Sequence, residues 1–198
     1  MSVSAEQVKE LRDKTGAPMM DCKRALEEAK GDAEKALFVL RQKGQAKAGT
    51  KQGRTTMDGA IGCYVHAGNR LGVMLEVGCE TDFVARNEVF SSLLKELAMH
   101  IAASKPQVVR REDLPEETVE KEKAVYASQV ENKPPQVVEK IIQGKLDKFY
   151  SEVCLLEQPY IRDTDKTVGE LLDETIAKLG EKIEVRRFVL MQVGEGEQ

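Results

Sequence analysis

No stretch of the 198-residue chain is apolar over the length that a bilayer-spanning helix needs. The opening residues MSVSAEQVKE lack both the basic and the apolar segment of a secretory leader, so a cytosolic protein without a membrane partner is expected. Excess basic charge is missing too: 30 Lys and Arg stand against 34 Asp and Glu, a formal net charge of −4. A protein that grips nucleic acid with its whole surface needs a concentrated excess of cations, so no direct nucleic-acid partner is expected beyond what a local basic patch could hold. The four cysteines, Cys22, Cys63, Cys79 and Cys154, form no C-x-x-C pair, and His66 and His100 are the only histidines. That set is poor for zinc and, in a cytosolic setting, poor for disulfides, which predicts reduced, partly buried thiols.

The usual marks of an enzyme are also absent. There is no GxxxxGK[ST] loop, no GxGxxG turn and no HExxH helix. Acid pairs such as Glu27-Glu28 and Glu116-Glu117 read as solvated helix charge, the latter favoured near a helix N-terminus by the dipole. Cys63 and His66 are the nearest thiol and imidazole along the chain, but residues three apart on a strand point to opposite faces. No catalytic residue, cofactor or metal is therefore expected.

What is present is an α+β pattern. Three short helices are predicted first: residues 4–14 with Val8 and Leu11; a second, started by Pro18 and stopped by Gly31, with Met19, Met20, Cys22, Ala25, Leu26 and Ala29; and a third capped by Asp32, with Ala36, Leu37, Val39 and Leu40, ending near Gly44. The stretch RQKGQAKAGTKQGR, residues 41–54, has no apolar periodicity and reads as a solvated linker; contact with RNA or an acidic partner ranks second, because no aromatics are interleaved to stack bases. Period-two runs follow in GAIGCYVHA and LGVMLEVGC, joined by a Gly68-Asn69-Arg70 turn, and again in KIEVRRFVLMQV at 182–193. Between them helices are predicted over 83–103, with Phe83, Phe90, Leu94, Leu97 and Ile101 on one stripe, and over 115–131, 135–150 and 167–179, with a Lys133-Pro134-Pro135 break between the middle pair. The expected organisation is a three-helix domain at 1–44, a linker at 45–58, and an α+β core at 59–198. So small a sheet has open edges, and a homodimer is the expected way to cover them.

Two places stand out as exposed apolar groups: Pro18-Met19-Met20 in a bundle too small to bury everything, and Asp82-Phe83 where a strand hands over to a helix. Met suits an adaptable binding face, and core filling is the plainer alternative.

These places carry a resemblance. LRDKTGAPMMDCKRALEEAKGD at 11–32 and LEVGCETDFVARNEVF at 75–90 resemble the two signatures of the elongation factor Ts family, guanine nucleotide exchange factors for elongation factor Tu. YVHAGNRLGVMLEV at 64–77, KIIQGKLDKFYSEVCLLEQPYI at 140–161 and KIEVRRFVLMQVGEG at 182–196 extend the likeness over essentially the whole chain. The resemblance implies a ubiquitin-associated-like N-terminal bundle, a linker and a core with an antiparallel sheet. One copy of the core is present, as in short members that dimerise. It further implies that Arg12, Met19 and Met20 hold the nucleotide-binding domain of elongation factor Tu, that Asp82 and Phe83 intrude beside that partner's magnesium region, and that His66 is a further contact. Two other readings stay open: a ubiquitin-type or helix-binding adaptor, and a thiol enzyme built on Cys63 or Cys79.

Overall fold

The structure, a computed structural model, describes residues 3–130 and 134–195. In chain order the elements are α1 (Ala5–Thr15), α2 (Met19–Glu28), α3 (Ala33–Gly49), β1 (Asp58–Val65), β2 (Leu71–Cys79), α4 (Asp82–Ala85), α5 (Glu88–Ser104), α6 (Glu116–Ser128), α7 (Pro135–Val153), β3 (Pro159–Tyr160), β4 (Asp163–Thr167), α8 (Val168–Leu179) and β5 (Ile183–Gln192). Helices with a small antiparallel sheet make this an α+β chain. Among the described residues it gathers into two compact units, one of Met1–Ala60, Gly78–Leu93 and Glu170–Glu184, the other of Ile61–Val77, Leu94–Gly169 and Val185–Gln198.

In the first unit, both ends of α1 and the start of α3 follow from their capping residues. The Ser4 hydroxyl accepts the Gln7 N–H while the Gln7 side chain accepts the Ser4 N–H, a reciprocal cap for α1. Gly16, at φ +65, closes α1 in the left-handed region that glycine adopts without a Cβ penalty. The Asp32 carboxylate accepts the Glu34 and Lys35 N–H groups and starts α3. Val8, Leu11, Cys22, Ala25, Leu26, Ala29 and Ala36 form the small core. The third helix does not stop near Gly44 but runs on to Gly49. Its buried positions there are Gly44 and Ala48, four apart, and a Cβ on Gly44 would lie 3.6 Å from the Ala177 Cβ of α8. Small residues let two helices approach closely, so the buried face carries no hydrophobic signal, and Leu37 is turned out to solvent.

The three-stranded sheet has the order β1-β2-β5. His66 N–H bonds to the Leu71 carbonyl at 2.9 Å to close the hairpin, with Gly68 at φ +91 where a type II turn needs a positive angle. On β2 the side chains of Val73, Leu75, Val77 and Cys79 are buried and that of Met74 is exposed, the alternation of a sheet covered on one face. α5 provides cover at Gly62: a Cβ there would sit 2.7 Å from Leu75 Cδ2, 3.1 Å from Leu94 Cβ and 3.2 Å from the Leu94 carbonyl. On β5 the buried residues are Ile183 and Val185, after which Arg186 and Arg187 both reach the Glu76 carboxylate at 2.8 Å. Beyond them Val189 and Met191 are exposed.

The helix predicted over 83–103 is two helices. Arg86 and Asn87 separate α4 from α5, and the Asn87 side chain accepts the Val89 N–H at 2.8 Å, making a fresh start that an Asn invites. Sequence periodicity also missed the short β3–β4 hairpin, whose second strand DTDKT holds two Asp and a Lys, residue types depleted in strands, and no large apolar side chain. Beside it lies a buried polar group. His100 accepts the Ile161 N–H at Nδ1, so Nε2–H donates to Gln158 Oε1 at 2.9 Å, and the Gln158 amide donates to the Ser104 and Glu152 carbonyls. Burial keeps this imidazole neutral, with its pKa pushed down. Lys133 of the predicted break lies outside the described residues; Pro134 precedes the first turn of α7, and α6 ends at Ser128 rather than 131.

Candidate functional site

The corner at Thr81-Asp82-Phe83 is built from the end of β2 upward. Thr81 is extended, at φ −133 and ψ 157, and its hydroxyl oxygen faces the Val84 N–H at 3.5 Å as the cap of α4. Val84 is the buried residue of that single turn. Phe83, on the other side, is 84% exposed and shares no stripe with Phe90, because the helix is interrupted between them at Arg86 and Asn87. A phenylalanine exposed to that degree contributes nothing to its own core. Asp82 pairs with Arg86 at 3.2 Å across the turn, an exposed pair that stabilises little.

A second apolar face comes from the N-terminal helices of the same unit. The Thr15 hydroxyl donates to the Leu11 carbonyl at 2.7 Å and accepts the Ala17 N–H at 3.2 Å, fixing the turn that leads into α2. Pro18 stands at the cap of α2 rather than inside its first turn, and its carbonyl accepts from Asp21 and Cys22. Cys22, Ala25 and Leu26 point into the core, which leaves Met19 at 52% and Met20 at 59% exposure. Arg12 is exposed on α1. Sequence reasoning missed Phe38, 61% exposed on α3. Its signal was its phase: it falls off the Ala36, Gly44 and Ala48 stripe. Asp21 bridges α2 to α3 through Lys47 at 2.6 Å and also meets Arg24 at 2.7 Å; the Lys47 bond foremost holds its pKa below the ordinary carboxylate value.

Arg12, Met19, Met20, Asp82 and Phe83 thus fall in one unit, and His66 in the other. His66 sits exposed on the hairpin, Nδ1 2.9 Å from the Tyr64 hydroxyl. The thiols do not look nucleophilic. Cys79 is buried, donates to the Thr81 carbonyl at 3.2 Å, and has its pKa raised by desolvation and then by Glu181. Burial pushes Cys154 up to about 11. Cys63 is exposed, with its neighbour Tyr64 rather than the thiol engaging His66. Among the described residues, no group of three His, Cys, Asp or Glu could hold a metal ion, and no helix is long and apolar enough to cross a membrane.

The chain matches the family model described as Elongation factor TS over residues 47–195. Whole-chain relatives extend the likeness across the N-terminal helices. Elongation factor Ts of Moorella thermoacetica is 57% identical over 196 residues, 98% of this chain and 97% of that protein. The Thermodesulfovibrio yellowstonii protein of the same name is 56% identical, with 98% of each chain covered, and that of Carboxydothermus hydrogenoformans 55%, covering 98% and 90%. Signatures, fold and relatives agree, and the chain belongs to the elongation factor Ts family of translation elongation factors.

Proposed function

We propose that this protein is a guanine nucleotide exchange factor, not an enzyme in the covalent sense, that promotes GDP release from elongation factor Tu in the cytosol. The observation that carries the reading is Phe83, an aromatic held 84% exposed on a one-turn helix. An exchange factor needs a coupling rather than a catalytic residue: its binding weakens GDP, and GDP weakens its binding by the same factor. Each tenfold loss of nucleotide affinity requires about 1.4 kcal/mol. Burial of one phenylalanine side chain supplies roughly 1.5–3 kcal/mol. That energy drives release when the pocket Phe83 enters opens only as the nucleotide site distorts. Magnesium demands near-ideal octahedral geometry, so a small displacement of its supporting segment weakens the phosphate site disproportionately. Phe83 is the wedge, Asp82 positions it and competes for polar groups, and Arg12, Met19 and Met20 on the 1–44 domain supply affinity indifferent to nucleotide. His66 is a further contact from the core. Residues 45–58 connect the two parts, and the core at 59–198 pairs with a second copy.

The test is release of fluorescent GDP from elongation factor Tu. Phe83→Ala should lower the release rate at saturating factor, whereas Met20→Ala should raise the half-saturating concentration and leave the saturating rate near wild type. If saturation restores both variants equally, the division of roles is wrong. An adaptor with the same exposed methionines would bind without accelerating GDP loss.

A further inference from the structure

We propose that Glu181, in the turn between α8 and β5, is the positioning residue that holds the Asp82-Phe83 wedge; the proposal rests on the exchange reading above. α4 is one turn long, too short to persist by helix formation alone, and it buries only Val84. Phe83 is 84% exposed, so packing does little to fix it and its direction follows from the backbone at residues 80–82. Glu181 takes hold of that backbone. Its Oε2 accepts the Glu80 N–H at 3.1 Å and the Thr81 N–H at 3.0 Å, and its Oε1 accepts the Thr81 hydroxyl proton at 2.6 Å. A threonine hydroxyl has one proton. Giving it to Glu181 turns the oxygen lone pairs toward the Val84 N–H, so the carboxylate also orients the cap of α4.

The grip is reciprocal. Glu80 returns a bond by accepting the Lys182 N–H at 2.6 Å, and it takes Arg54 at 3.2 Å on both oxygens. The Lys182 ammonium donates to the Arg54 carbonyl at 2.9 Å, and Lys51 donates to the Gly180 carbonyl. The segment that follows α3, the turn at 180–182 and the base of the wedge are therefore one hydrogen-bonded knot within the first unit. A knot of this kind lets affinity gained through Met19 and Met20 press Phe83 into its pocket instead of bending the corner. Loop residues on a firm base act in this way because misplacement by a fraction of an ångström forfeits the coupling.

Full-length Glu181→Ala, Glu181→Gln and Phe83→Ala would be compared with wild type in release of fluorescent GDP from elongation factor Tu over a range of factor concentrations. Glu181→Ala should lower the saturating rate about tenfold or more, with half-saturation changed much less, as misplacement of a contacting group does. Glu181→Gln keeps an amide oxygen for the backbone N–H groups and should recover part of the rate. It also answers the case in which the alanine variant does not fold. A residue that merely stabilised the fold would lower the melting temperature and leave the saturating rate of the folded fraction intact. Wild-type saturating rates in both Glu181 variants, alongside a loss in Phe83→Ala, would overturn the positioning role while the wedge stands. A wild-type rate in Phe83→Ala itself would remove the wedge reading.

Discussion

Burial lifts the Asp173 carboxyl on α8 from an ordinary 3.8 up to about 6, and the negative charge of Glu170, one turn earlier, adds to it. The folded state therefore holds its proton more tightly than the unfolded chain. Its contribution to stability is full below about pH 4, is lost as pH rises toward 6, and stays lost above that. Asp173→Asn keeps the shape and removes the charge. The difference in pKa sets a ceiling of about 3 kcal/mol, and water reaching a half-buried carboxyl brings the expected gain at pH 7.5 down to about 1–2 kcal/mol. Urea unfolding at pH 7.5 and pH 4.5 checks it, since the advantage of the variant should shrink at the lower pH; an unchanged gap would point to packing rather than charge. Residue identity told part of this story in advance. Asp82-Phe83 and Met19-Met20 were conspicuous because apolar groups stood where short polar ones would serve. Glu181 gave no such signal, because a glutamate beside a turn is ordinary until its three donors are brought to it from residues 80 and 81.

At the scale of elements, the close approach of α5 to β1 depends on one missing side chain. A Cβ at Gly62 would strike the Leu75 side chain and press on the Leu94 backbone, which a helix cannot yield without shifting. Gly62→Ala should destabilise by about 1–3 kcal/mol, the range for overpacking. Differential scanning calorimetry should show a melting temperature lower by roughly 3–10 °C. No change would mean that α5 has room to move off the strand. The same kind of contact explains why α3 outran its predicted end: Gly44 and Ala48 are buried, yet neither adds to an apolar stripe. Periodicity found the helices and strands whose cores are made of Val, Leu and Ile. It failed where small residues do the packing, in the β3–β4 hairpin, and at Asn87, whose capping bond cuts a continuous apolar stripe in two.

At the scale of the whole molecule, the strands of the sheet leave apolar side chains in solvent beside the Glu76 ion pairs. Ile61 and Val65 on β1, Met74 on β2, and Val189 and Met191 on β5 are all exposed. An exposed patch of this kind marks an interaction surface, and a second copy presenting the same face would cover it. Light scattering at micromolar concentration should therefore give twice the 22.0 kDa chain mass, and Val189→Lys with Met191→Lys should return it to 22.0 kDa without loss of the far-ultraviolet helix signal. A wild-type mass of one chain would remove the dimer. The sequence by itself determined the α+β class and the three short N-terminal helices, and it singled out Met19-Met20 and Asp82-Phe83, because caps, turn glycines and period-two alternation are local chemistry. Only the tertiary structure decided that Phe83 faces solvent instead of joining the α5 stripe, and that Glu181 holds the backbone N–H groups of Glu80 and Thr81 while Glu80 accepts the Lys182 N–H, about a hundred residues away. Those facts depend on which segments fold against one another, and hydrogen bonds across such a span leave no periodic trace in the chain.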